Sequence, residues 1–158
     1  MRKFVIFVTL VLATSVFIFG FGLEFGAGVT LLSSYPLPTI AAGINVPVMG
    51  GLSATGQFNT LFLAGSGTTV TFFMALGGGR YTFNMDAIKV FVGADGGIIS
   101  NFSGTSSMIP IFGVNGGVMF KTFYLKGAWR MWNLKYPTAN ISVNVPMLEL
   151  TAGVNWIF

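Results

Sequence analysis

Hydrophobic and polar residues alternate along most of this chain. The clearest stretch is 147–158: Leu148, Leu150, Ala152, Val154, Trp156 and Phe158 are apolar at even positions, and Glu149, Thr151, Gly153 and Asn155 are polar or small at odd ones. Successive side chains of a strand point to opposite faces, so this period predicts a β-strand with one greasy and one polar face. The same period runs through 21–32, 40–48, 52–62 (where Thr60 falls on the apolar face), 88–98, 112–121 and 123–131. It breaks in 70–83. There Val70, Phe72, Met74 and Leu76 share one face and Phe73 opposes them, and carrying that register past Gly77-Gly78-Gly79 would put Arg80 among apolar residues. A β-bulge at the glycines repairs the pattern, because glycine accommodates one. Arg80 and Thr82 then join the polar face, and Tyr81 and Phe83 the apolar one.

Turn signals separate these stretches. They fall at 33–38 (with Pro36 and Pro38), at Met49-Gly50-Gly51, at Gly65-Ser66-Gly67, at 84–87, at 101–107, at Lys121-Thr122 and at 133–145, the longest. Eight strands result. An even number of antiparallel strands closes an up-and-down barrel with both ends on one side. The second, fourth and sixth connections are tight and the others longer, so loop length alternates in phase with strand direction.

Composition decides which face is outside. Hydrophobic residues make up 53% of the 158 and charged residues only 8%, against roughly 25% charged in an ordinary soluble domain. Twelve charges cannot coat a soluble fold, so the larger, aromatic-rich face is the outer one and meets lipid. A lipocalin-like soluble barrel would place these faces the other way round. Helical spans do not fit either: between Glu24 and Arg80 no residue is charged, but proline and glycine cut the run well short of the roughly 20 apolar residues that a helix needs. Membrane strands need only about 9–11 residues.

On this reading Glu24, Arg80, Lys89, Asp95, Lys126, Arg130 and Glu149 all face the lumen, as candidate ion pairs or channel lining. Lys or Arg on the lipid face would cost about 2–4 kcal/mol at the midplane. Arg130 and Glu149 fall near the same end of neighbouring strands and are a candidate pair. The inner face is also rich in small residues (Gly26, Gly28, Gly93, Gly113 and Gly117 among them), while Phe73, Phe91, Met119, Tyr124 and Arg130 are large enough to plug much of the space. An eight-stranded barrel is just wide enough to be filled by side chains or to hold one small ligand.

The N-terminus carries Arg2 and Lys3 followed by an apolar run from Phe4 to Phe19, the layout of a secretory signal peptide. Residues 1–22 are expected to be that peptide, cut after Gly22 (a second candidate is Ala13-Thr14-Ser15), and 23–158 the barrel domain. The chain has no cysteine and no histidine, which removes thiolate metal sites and the commonest general base. The basic residues are scattered, so no phosphate-binding patch forms and nucleic acid is not expected as a partner.

The amphipathic last strand ending on Phe158, together with seven strands before it, resembles the small eight-stranded outer-membrane β-barrels of bacteria, such as the OmpA transmembrane domain and the OmpX and OmpW families. The resemblance is architectural and covers about 23–158. It implies a bacterial outer-membrane location, outer-membrane lipid as surroundings, and Trp156 and Phe158 as part of the C-terminal signal read by the barrel-insertion machinery. Some barrels of this size are lipid-A acyltransferases or deacylases. They lean on a histidine with a serine or a carboxylate, and this chain has no histidine, so no enzyme, cofactor or metal is expected. The expected function is structural, anchoring or adhesive, with a largely plugged lumen. The alternative is a narrow channel or a binding barrel for a small solute or apolar molecule.

Overall fold

The computed structural model describes residues 20–33, 35–65, 68–101, 108–136 and 141–158. They form eight strands: β1 (Gly22–Leu32), β2 (Tyr35–Met49), β3 (Leu52–Gly65), β4 (Thr68–Met85), β5 (Ile88–Asn101), β6 (Ile109–Phe120), β7 (Phe123–Tyr136) and β8 (Ile141–Ile157). Each pairs antiparallel with the next, and β8 pairs with β1 to close the barrel. Exposed Phe25, Ile40, Phe58, Val92, Phe112, Trp129 and Leu150 cover the outer wall. Closure leaves no free strand edge, the condition for crossing a bilayer with strands.

The end at which β1 begins and β8 finishes, here the base, carries tight turns. Gly50 and Gly51 both take positive φ, at +52° and +87°, and two such residues set the twist of a two-residue hairpin. The turns at Asp86 and Lys121 also place one residue in the left-handed region. At the far end β2 starts at Tyr35, β4 at Thr68 and β8 at Ile141, so the strands run past several expected turns. The expected long loop 133–145 shrinks, because β7 continues to Tyr136 and β8 begins at Ile141; residues 137–140 lie outside the described residues. Likewise 33–38 is not a loop: Pro36 and Pro38 are strand residues paired with Leu31 and Val29.

Proline explains the misreading. Pro36 and Pro38 pair with β1, whereas β2 joins β3 only from Thr39 onward. Pro110 pairs with β5 above the start of the β6–β7 ladder, and Pro146 with β7 above the start of the β1–β8 ladder. Pro47 pairs with β3 alone, next to a register shift between Pro47 and Met49. Each lies where its strand is laddered on one side only, so the missing N–H breaks no sheet. These prolines mark strand tips instead of turns.

The second correction concerns β4. Its pairing with β3 and β5 runs without a register shift through Gly77, Gly78 and Gly79. No bulge forms there. Arg80 and Thr82 do point inward, and in the same unbroken register so do Phe72, Met74 and Leu76, while Phe73 turns outward and packs its ring 5.6 Å from Phe58. The chain avoids the bulge because both faces of 70–76 are apolar, and the inward face meets a lumen that is itself apolar at that height.

The expected signal peptide, 1–22, falls mostly outside the described residues. Its last residues are in the barrel: Gly22 pairs with Ile157, and the Phe21 ring stacks 5.2 Å from Phe158.

Candidate functional site

Among the described residues charged side chains converge in the lumen, which is built in tiers. At the far end Leu37, Leu61, Met74, Leu76, Ile99, Ile111, Trp132 and Met147 form a buried apolar cluster, with Leu32, Phe72, Ile109 and Val145 packed against it. Every strand sends at least one residue into this tier. The Trp132 ring meets Phe72 edge-on at 6.3 Å.

Below it lies a polar tier centred on Arg130. Its Nε and Nη2 donate to Asp95 Oδ1 and Oδ2, both at 2.9 Å, and its Nη1 donates to Glu149 Oε2 at 2.5 Å. This two-pronged contact on one carboxylate uses the planar fork of guanidinium. Glu149 also accepts from Asn59 Nδ2 at 2.8 Å and from the Thr151 hydroxyl at 2.9 Å. Lys126 Nζ donates to Gln57 Oε1 at 2.6 Å and sits 3.6 Å from Glu149 Oε1. Asn115 Nδ2 donates to Asp95 Oδ2 at 2.8 Å. Arg130, Lys126 and Glu149 are each at most 2% exposed. Two cations and two carboxylates balance, which a buried cluster requires.

Nearer the base, Arg80 makes a two-pronged ion pair with Glu24, through Nη1 to Oε1 and, at 3.0 Å, Nη2 to Oε2. The Arg80 guanidinium lies 4.3 Å over the Phe91 ring, within cation–π range. Phe91, Met119 and Tyr124 form a second buried cluster beside it. Lys89 lies at the base, exposed, beside a cavity that opens there.

Glycine makes the tiers fit. A Cβ built on Gly113 would lie 2.3 Å from Trp129 O and 2.5 Å from Arg130 Cγ, and one on Gly117 would lie 2.1 Å from Leu125 O and 2.7 Å from Phe91 Cζ. The inward glycines therefore leave no open volume. Their neighbours' backbone and long side chains already occupy it.

Sequence reasoning paired Arg130 with Glu149, and the structure places them in contact. It did not find Asp95 as the other partner, the Glu24–Arg80 pair, or the amides of Gln57, Asn59, Asn115 and Asn155. Those contacts cross the barrel between residues distant in the chain. The inward period-2 placement of these amides was the only available signal. The far apolar tier was missed because its residues fall in stretches where both faces are greasy. Among the described residues no cluster of three His, Cys, Asp or Glu side chains could hold a metal, and Glu24, Asp95 and Glu149 are all engaged by cations.

At the barrel seam Trp156 is half exposed on the outer wall, its ring 5.8 Å from Phe25, and Phe158 exchanges backbone hydrogen bonds with Phe21.

No protein-family model matches the sequence, and no curated protein matches it. Solved structures do. The Neisserial surface protein A aligns with 87% of this chain and 96% of its own at a TM-score of 0.62 and 17% identity. The outer membrane enzyme PagL aligns with 85% of this chain and 97% of its own at 0.57 and 17% identity. The fold is that of a small bacterial outer-membrane β-barrel, and its apolar outer wall suits a lipid environment.

Proposed function

We propose that this protein is a sealed outer-membrane barrel with a structural, anchoring or adhesion-type role, and that it neither conducts nor catalyses. The observation that carries the reading is the far apolar tier: side chains from all eight strands meet across the lumen above a charge-balanced cluster. An ion crossing this tier would have to shed its water among Leu, Ile and Met, with little beyond the Trp132 indole N–H to replace it. PagL shares the fold and is an enzyme, so the fold alone leaves catalysis open. The non-catalytic reading rests on the site: no histidine is present, and the lumen carboxylates are held by cations rather than set beside a nucleophile. A secretory signal is proposed within residues 1–22, with its cut before Phe21 because Phe21 and Gly22 belong to the barrel, and Trp156 with Phe158 as the element offered to the barrel-insertion machinery.

Planar-bilayer recording of the refolded protein tests the sealed lumen. The expected result is no discrete conductance in membranes where insertion is verified independently by protection from protease. Reproducible unitary steps would overturn the proposal and favour the narrow channel.

A further inference from the structure

The seam between β1 and β8 runs past the ends of both strands. Their ladder reaches Gly22 and Ile157 at the base, and the pairing continues through Phe21 and Phe158. The Phe158 N–H donates to Phe21 O at 2.9 Å, the Phe21 N–H donates to Phe158 O at 3.3 Å, and the two rings stack 5.2 Å apart. Gly20 comes next, with φ at +77°, and a Cβ built on it would lie 2.2 Å from Phe158 O. A left-handed residue pressed against a backbone oxygen has to be glycine. Gly20 and Phe21 therefore hold Phe158 on the seam. Without them Ile157 and Phe158 would present unpaired backbone groups, which barrel closure otherwise removes.

A cut after Gly22 would discard both residues. The sequence offers an earlier bond. A signal-peptide cleavage site has small residues at the last and third-last positions of the released peptide. Ala13-Thr14-Ser15 supplies that pattern ahead of Gly20, whereas a cut between Gly20 and Phe21 would put Ile18 at the third-last position. The apolar run from Phe4 to Leu12 that precedes Ala13 is within the roughly 7–15 residues of a signal-peptide core.

We propose that the signal is cut between Ser15 and Val16, and that Gly20 and Phe21 stay behind as a latch that closes the seam over Phe158. The inference rests on the reading of the N-terminus as a secretory signal. Water, with a signal peptidase as catalyst, adds across the Ser15–Val16 peptide bond, which leaves a carboxylate on Ser15 of the released peptide and an ammonium on Val16 of the barrel chain. The cut also times closure. Only Val16 to Gly20 separate it from Phe21. Five extended residues span at most roughly 18 Å, less than the hydrocarbon core of one bilayer at about 30 Å. A signal still seated in the inner membrane holds Phe21 away from a Phe158 in the outer one, so the seam closes only after the cut.

The test is the intact mass of the protein after the full chain is expressed in a bacterial host and recovered from its outer membrane. A mass equal to residues 16–158 is expected. A product that begins at Phe21 or Leu23 overturns the cut site and leaves the signal reading standing. A product that keeps Met1 to Ser15 overturns both. Gly20→Val separates the latch from the cut. It is expected to be cut at the same bond, while its Phe158 amide, followed by hydrogen exchange in micelles, exchanges about tenfold or more faster, the loss of one backbone hydrogen bond. Accumulation of the uncut Gly20→Val chain overturns the cut site, because Gly20 would then flank the cleaved bond. Unchanged exchange at Phe158 overturns the latch.

Discussion

The far tier and the middle tier of the lumen fill the same cross-section with opposite chemistry. The far tier uses mid-sized apolar side chains from all eight strands, each occupying its own share of the space. The middle tier uses a few very long side chains, Arg130 and Lys126 above all, and sets glycines such as Gly113 and Gly117 beside them. The apolar tier is held by burial and contact, so its parts are nearly independent. The polar tier is held by charge balance, and its parts depend on one another. Removing one member of a buried ion cluster leaves a charge without a partner, while replacing the whole cluster by uncharged groups costs far less.

The largest expected effect follows from that dependence. Arg130→Met leaves Asp95 without its cation and Glu149 with Lys126 alone, and should lower stability by about 3–5 kcal/mol, read as the urea midpoint of the folded-to-unfolded gel shift. Combining it with Lys126→Met, Asp95→Asn and Glu149→Gln should recover more than half of that loss. If the quadruple variant is no more stable than the single one, the tier is not held by charge balance and the contrast between tiers is wrong.

In the apolar tier Leu61→Ala, at a fully buried site, should cost about 2–4 kcal/mol through the cavity it leaves. Here no second substitution is expected to rescue it, except a larger side chain facing the hole. Glycine supplies a finer comparison. Gly113→Ala forces a methyl against Trp129 O and Arg130 Cγ, and such overpacking costs about 1–3 kcal/mol. Gly77 faces outward, and a Cβ there meets nothing nearer than Thr55 O at 4.0 Å. Gly77→Ala should therefore stay within about 0.5 kcal/mol of the parent, as surface changes do. Equal losses for the two glycine variants would show that inward glycines are not placed by the long side chains beside them.

The β class, the eight strands and the tight base turns were legible in the sequence, and so were the faces of the strands that carry Glu24, Asp95, Lys126, Arg130 and Glu149. Each rests on local periodicity, and a period of two is fixed by strand geometry wherever one face is polar and the other is not. The same rule shows why β4 was misread. Between Val70 and Leu76 both faces are apolar, so the sequence carries the period but not its sign. Only the ladders to β3 and β5 decided that Met74 and Leu76 point inward. The far ends of the strands were shortened for a related reason. Proline reads as a turn until one knows which side of each strand lacks a neighbour, and that depends on the stagger of the closed barrel.

The same division holds within the lumen. Arg130 with Glu149 was legible because they sit on adjacent strands. Glu24 with Arg80 and Asn59 with Glu149 were not, since 56 and 90 residues separate them and only closure brings them together. The sequence by itself determined which residues face the lumen wherever one face of a strand is polar and the other is not. The tertiary structure decided which of them touch, that apolar side chains pack the far half and that a cavity remains at the base. Facing is a property of the local backbone, whereas contact across a barrel is set by the register of every ladder between two strands.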